Sequence, residues 1–178
     1  MDYRQAFKNW KNRRLEDSDL AKELSGHLTD EQIADAFSID LEFGTAGLRG
    51  IIGAGTNRMN IYTVRRATAG LVGYLKQNFS GPLSAVIGYD SRNKSEIFAR
   101  ETARVFASYG AKAYIFGELM PTPLVSYAIR YLKAQTGVMI TASHNPKSYN
   151  GYKAYDETGC QLGVEAANSV LGFSKNAG

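Results

Sequence analysis

The chain is short of several things, and each shortage narrows what it can be. One cysteine, Cys160, among 178 residues rules out a disulfide within the chain. That usage suits a reducing compartment, so a cytoplasmic protein is expected. No apolar run approaches the roughly 20 residues a bilayer span needs, so no membrane partner is expected. The first residues, Met1-Asp2-Tyr3-Arg4, carry no basic stretch leading into an apolar one, the mark of a secretory signal. Neither a P-loop nor a G-x-G-x-x-G fingerprint occurs, and no nucleotide is implied. The net charge is +4, but the basic residues are spread along the chain and not clustered with aromatics. Anionic small molecules therefore fit better than nucleic acid as partners.

What is present reads as one soluble globular core with a small appendage: 44% of residues are hydrophobic and 21% charged. Residues 2–22 are charged and helical in pattern, with Phe7, Trp10 and Leu15 as anchors. Thr29-Asp30-Glu31-Gln32 is a capping box opening a second helix that carries Ile33, Ala36 and Phe37. Together these predict a helical N-terminal extension over residues 1–40. Beyond it the pattern alternates. Asn60 caps a helix with Ile61, Val64, Thr68, Leu71 and Leu75 at helical spacing. A strand follows over 83–89, then a helix with Phe98, Thr102 and Phe106, a strand over 112–116, and a helix begun by Pro121-Thr122-Pro123. Strand–helix repetition of this kind predicts an α/β fold with a mostly parallel, mixed sheet layered between helices. The main domain is expected over residues 41–163. It would end in a β-hairpin turning at Asp156-Glu157-Thr158-Gly159, with Cys160-Gln161-Leu162 as the return strand. Residues 164–178 show one weak helical pattern before Gly172 and read as a junction.

The chemistry gathers at the end of the last buried strand, Gly137-Val138-Met139-Ile140. There Thr141-Ala142-Ser143-His144-Asn145-Pro146 delivers a hydroxyl, an imidazole and an amide together, where open α/β sheets place their sites. Two simple readings compete. Ser, Asn and Pro favour turns in their own right, and a Ser–His pair also suggests a hydrolase. Against the hydrolase, neighbours on an extended segment point to opposite faces, no G-x-S-x-G elbow is present, and His27 lies in a remote helical region. A serine without a base is a weak nucleophile. Lys153, in the strand Gly151-Tyr152-Lys153-Ala154-Tyr155, would return towards Ser143, unless it is an ordinary solvated lysine. Upstream, Phe43-Gly44-Thr45-Ala46-Gly47-Leu48-Arg49-Gly50 surrounds one arginine with glycines, which let backbone N–H groups approach an anion. Arginine itself offers a planar fork to phosphate oxygens. Arg92, just past a strand end, either faces the same cleft or makes a loop ion pair.

Taken in order and spacing, these segments resemble the α-D-phosphohexomutases, the phosphoglucomutase and phosphomannomutase family. The similarity is greatest to the bacterial phosphoglucomutase and phosphopentomutase-like branch, on residues 43–50 and on Gly53-Ala54-Gly55-Thr56-Asn57-Arg58-Met59-Asn60. The resemblance implies that Ser143 is the phosphate carrier and that Arg49 clamps phosphate oxygens. Lys153 would act as general acid/base or charge stabiliser, with His144 sharing proton transfer and Asn145 shaping the loop. It implies glucose 1-phosphate and glucose 6-phosphate as substrates, glucose 1,6-bisphosphate as intermediate, and Mg2+ bound through the phosphate on Ser143. Pentose or mannose phosphates, or a non-catalytic phosphate-binding module, are the alternatives. The remaining magnesium ligands in this family come from an Asp-x-Asp-x-Asp loop in a second domain. The nearest likeness here is Asp17-Ser18-Asp19, in the extension. The sequence is therefore expected to be a first domain that folds but scarcely turns over without further C-terminal domains.

Overall fold

The computed structural model of the chain describes residues 2–44 and 47–176. Among them the order is α1 (Tyr3–Asn12), α2 (Ser18–Ser25), α3 (Asp30–Phe37), β1 (Leu48–Ile51), α4 (Ile61–Asn78) and β2 (Ser84–Tyr89). It continues with α5 (Ser95–Ser108), β3 (Lys112–Ile115), α6 (Thr122–Leu132), β4 (Thr136–Ile140), β5 (Tyr149–Tyr155) and α7 (Val164–Asn176). The strands form one sheet in the order β1-β5-β4-β2-β3. β2 runs parallel to β3 and β4, while β5 runs antiparallel to both β4 and β1. Every strand but β5 thus points the same way, which is the mostly parallel, mixed sheet expected.

Alternation along the strands feeds two cores. Val138, Ile140, Tyr152, Ala154, Ala85 and Ile87 pack with Val64, Leu71, Phe98, Phe106 and Val170 from α4, α5 and α7. Val86, Met139 and Tyr155 face the other way, against Val125 and Ile129 of α6. The result is a helix–sheet–helix sandwich, the arrangement that buries both faces of a largely parallel sheet. No described helix is long and apolar enough to cross a membrane.

Local chemistry explains the element ends. Asn60, buried, accepts from the N–H groups of Tyr62 and Thr63, and Thr63 Oγ1 reciprocates at Asn60 N. Its Nδ2 also donates to the carbonyls of Gly53 and Gly55. Thr29 and Gln32 form the expected capping box of α3. Three features differ from expectation. The stretch over 2–22 is two helices, because Asp17 caps a new start by accepting from Asp19 N. The hairpin return arm pairs only at Tyr155–Gln161. Asp156 Oδ1 accepts from the N–H groups of Thr158 and Cys160, which curls the chain into a tight turn. Finally, α7 runs straight through Gly172, held by Ala167, Val170 and Ser174 buried on the α4 side.

The extension docks as expected, with Phe7, Trp10, Leu20, Leu24 and Phe37 around Ala54 and Tyr62. Charge pairs pin its edge. Glu16 takes a two-pronged contact from Arg65, with both N–O distances 2.7 Å, and Asp19 pairs with Lys94. Hydrogen bonds from these cations hold both carboxyls below the usual carboxylate range. Because their pKa values are lower folded than unfolded, the stabilisation is present above the unfolded values and is lost as pH falls through the folded ones. Acid should therefore loosen the extension before the sheet. Trp10, the sole tryptophan, sits edge-on to Phe37 and Tyr62 and reports on this. Its emission is expected to shift red as pH falls below about 4, ahead of the loss of far-UV dichroism. Coincident transitions would contradict the sequence of events.

Candidate active site

β4 ends at Ile140, and the chain is then reshaped by its own polar side chains. Thr141 N donates to Gly151 O at 3.0 Å, keeping the chain on the sheet one residue longer. Thr141 Oγ1 then accepts from Ser143 N at 3.0 Å, and Asn145 N donates to Ala142 O at 3.1 Å. These bonds close a turn in which Ser143 has φ +56°, in the left-handed region. A serine there costs of the order of 1–2 kcal/mol, so the surroundings must enforce it. Its side chain stands exposed at the carboxyl end of the strand. The left-handed turn also overturns one expectation. The segment is not extended, so Ser143 and His144 do not point to opposite faces: Ser143 Oγ lies 3.4 Å from His144 Nδ1. That is long for a hydrogen bond involving a hydroxyl, but it places the imidazole beside the serine.

Arg49 lies on β1, where Leu48 is buried and Arg49 exposed on the opposite face. Its Nη1 donates to Asn145 Oδ1 at 3.1 Å, so the arginine reaches the serine loop from across the sheet. Arg49 stands opposite Gly151 in the β1–β5 ladder, and Lys153 follows two residues along β5, opposite Met139. Residues two apart on a strand share a face. Arg49, Lys153 and Met139 are therefore on the α6 side of the sheet. Since α6 packs on β2 and β4, the two cations come up beside the helix. The first glycine-rich loop closes the arrangement. Gly44 and Gly47 exchange backbone hydrogen bonds of 3.0 and 2.8 Å, and Gly47 lies directly on the backbone of Tyr152 and Lys153. Thr45 and Ala46, between them, lie outside the described residues.

The structure thus ties Arg49 to the serine loop through Asn145, sets Lys153 on the adjoining strand of the same face, and puts His144 next to Ser143. The larger grooves lie elsewhere, one of about 700 Å³ among Trp10, Arg13, Tyr62 and Arg66. The serine stands on an open surface, as one wall of a cleft would. No magnesium set accompanies it. Among the described residues no three His, Cys, Asp or Glu side chains gather to hold a metal. The serine loop itself, residues 141–149, carries no carboxylate. Asp17 and Asp19 are committed to Lys94. Two residues matter more than the sequence suggested. Asn145 is the acceptor for Arg49, and Arg92 lies under the serine loop as a donor to its carbonyls.

Comparison with known proteins decides the lineage. Residues 40–177 match the family profile "Phosphoglucomutase/phosphomannomutase, alpha/beta/alpha domain I". The chain belongs to the phosphoglucomutase/phosphomannomutase family. As a domain I of that family it is 43% identical over 162 residues to a phosphoglucomutase of Staphylococcus epidermidis, covering 91% of this chain and 30% of that protein. It is 49% identical over 129 residues to a phosphoribomutase of Saccharomyces cerevisiae, covering 71% and 21% respectively. A solved protein of Thermus thermophilus, provisionally named a phosphomannomutase, superposes with a TM-score of 0.70 at 34% identity, covering 76% of this chain and 30% of that one. The chain spans under a third of the length of these relatives.

Proposed function

We propose that this chain is the phosphoserine domain of a mutase that moves a phosphoryl group between two hydroxyls of a sugar phosphate. The observation that carries the reading is the convergence on one sheet face: an exposed Ser143 in a strained turn, Arg49 held at that turn by Asn145, and Lys153 on the neighbouring strand. A phosphoserine brings roughly −1.5 to −2 charges, which this pair of cations is placed to balance. In the transfer, a sugar hydroxyl attacks the phosphorus. The bond from phosphorus to Ser143 Oγ breaks as the new P–O bond forms, and the hydroxyl proton passes to a base, for which Lys153 and His144 are the candidates. Ser143 is left as its alkoxide, protonated in turn, and the sugar as a bisphosphate. The reverse step, with the sugar turned end for end, returns the other phosphoryl group to Ser143. Loose phosphoryl-transfer transition states respond mainly to positioning and charge, which is what these residues supply.

Glucose 1-phosphate and glucose 6-phosphate are the substrates we favour, with glucose 1,6-bisphosphate between them, because the similarity extends over 91% of this chain in the Staphylococcus relative. A pentose phosphate is the second reading, favoured by the phosphoribomutase likeness. Magnesium would need carboxylates that the described residues do not bring to Ser143. A cytoplasmic enzyme fits a single unpaired cysteine.

Intact-mass measurement tests the reading. Joined to the C-terminal domains its relatives carry and incubated with glucose 1,6-bisphosphate and magnesium, the protein is expected to gain the mass of one phosphoryl group, and its Ser143→Ala variant to gain none. An adduct that survives in Ser143→Ala would place the carrier on another side chain, and phosphate that binds reversibly with no adduct would indicate a phosphate-binding module.

A further inference from the structure

The turn after β2 has a role of its own. Asp90 Oδ1 accepts from Arg92 N at 3.0 Å and from Ser95 Oγ at 2.8 Å, which folds residues 90–95 back under the serine loop. Arg92 then turns both its Nη atoms onto that loop. Nη1 donates to Pro146 O at 3.0 Å and Tyr149 O at 3.2 Å, and Nη2 donates to Ser143 O and Asn145 O, each at 2.6 Å. The side chain is only 14% exposed, with Asp90 Oδ2 3.6 Å from its Nε. This is no loop ion pair of the ordinary surface kind. One planar cation collects four carbonyls from a seven-residue stretch, a task suited to the fixed fork of arginine and not to lysine.

Two consequences follow for chemistry at Ser143. The left-handed conformation of Ser143 is gripped from both sides, by Thr141 Oγ1 at its N–H and by Arg92 at its carbonyl. The loop's carbonyl dipoles are also turned down onto a half-buried cation, so that their negative ends do not face the place where a phosphate must sit. Preorganised dipoles of the right sign are the largest lever on charged transition states.

We infer that Arg92 is a positioning residue for phosphoryl transfer at Ser143. It fixes the serine's backbone and clears the phosphate site of negative dipoles, while both its Nη atoms are occupied by carbonyls and make no hydrogen bond to the serine hydroxyl. The inference rests on the phosphoserine reading above, and it adds the guanidinium beneath the loop to the groups that set the rate.

The test measures the rate of phosphoryl uptake at Ser143 from glucose 1,6-bisphosphate by intact mass, in the protein joined to the C-terminal domains its relatives carry, as wild type, Arg92→Lys and Arg92→Ala, with hydrogen exchange across residues 141–149 read in parallel. Arg92→Ala is expected to slow uptake about 100-fold, the scale of a misplaced reacting group. Arg92→Lys, which keeps the charge but loses the fork, should slow it about tenfold. Exchange across 141–149 should quicken in both while the far-UV dichroism stays unchanged. Millimolar guanidinium should restore part of the uptake in Arg92→Ala, and sodium chloride of equal ionic strength should not. Uptake at the wild-type rate in Arg92→Ala, even with faster exchange, would reduce Arg92 to a loop staple and overturn the inference while leaving the phosphoserine reading intact. If Arg92→Ala does not fold, wild-type uptake in Arg92→Lys overturns it equally. A wild-type protein, those domains included, that never takes a phosphoryl group brings down the phosphoserine reading, and the positioning role with it.

Discussion

Gly47→Ala is expected to lower the unfolding temperature by about 10 °C, the shift that about 4 kcal/mol produces in a domain of this size. The reason is a collision that no rotamer relieves. A Cβ at Gly47 would stand 1.8 Å from Tyr152 O and 2.9 Å from Tyr152 C, and both are backbone atoms of β5. β5 is hydrogen-bonded on both sides, to β1 and β4, so it cannot yield alone. The glycine also has φ +92°, which an alanine adopts only at a penalty. Gly81→Ala separates the two contributions. Gly81 has φ +94° but nothing within 4 Å of its Cβ position, so it should lose only the conformational part, about 1 kcal/mol. If both variants melt alike, the contact with β5 carries no weight. Should Gly47→Ala fold at all, the loop must lift from β5 or push it aside. Lys153 lies directly beneath, so phosphoryl uptake at Ser143 should fall together with stability.

This contact shows where sequence reasoning succeeds and where it stops. The strand–helix rhythm of β2, α5, β3, α6 and β4 is legible because buried strands and amphipathic helices leave different periods in the apolar residues. The caps at Thr29 and Asn60 are legible because a cap needs its own residue type at a fixed offset. β1 is another matter. Residues 48–51 contain a glycine and an exposed arginine and read as a glycine-rich turn. They become a strand because β5, a hundred residues later, supplies the hydrogen bonds. The break between α1 and α2 hides for the opposite reason: Asp17 is one acid in a charged run, and only its side-chain bond to Asp19 N marks it as a cap. At the site, the identities of Ser143, Arg49 and Lys153 stand out by motif, but their geometry does not. The placing of His144 beside Ser143 depends on one left-handed residue. The work of Arg92 depends on where four carbonyls point, which side-chain identity does not encode.

Asn150→Asp should be the most informative single-atom change in the region, because it keeps the shape and reverses a donor. Asn150 is fully buried at the start of β5. Its Nδ2 donates to Asn93 O and Ser95 Oγ, each at 2.9 Å, and its Oδ1 accepts from Gly151 N at 2.8 Å. This one amide joins the β2–α5 turn, which carries Arg92, to the strand that carries Lys153. An aspartate keeps the bond to Gly151 but turns an anion towards the Asn93 carbonyl. Ser95 cannot easily answer it, since its hydroxyl already donates to Asp90. An uncompensated buried charge of this kind costs about 3–5 kcal/mol near neutral pH. Burial raises the new carboxyl's pKa in the folded state above its unfolded value of about 3.9, so the folded protein holds the proton longer. Stability relative to wild type should then fall as pH rises through that interval, and the penalty should be distinctly smaller at about pH 4 than at about pH 7. Paired thermal melts of variant and wild type at the two pH values measure it, and comparison at each pH cancels the acid loosening of the extension. Equal penalties at both would mean that the neutral amide geometry matters and the charge does not. If the penalty does shrink with acid, uptake at Ser143 should recover in the same interval, because protonation restores a donor between the turn beneath the serine loop and the strand beside it.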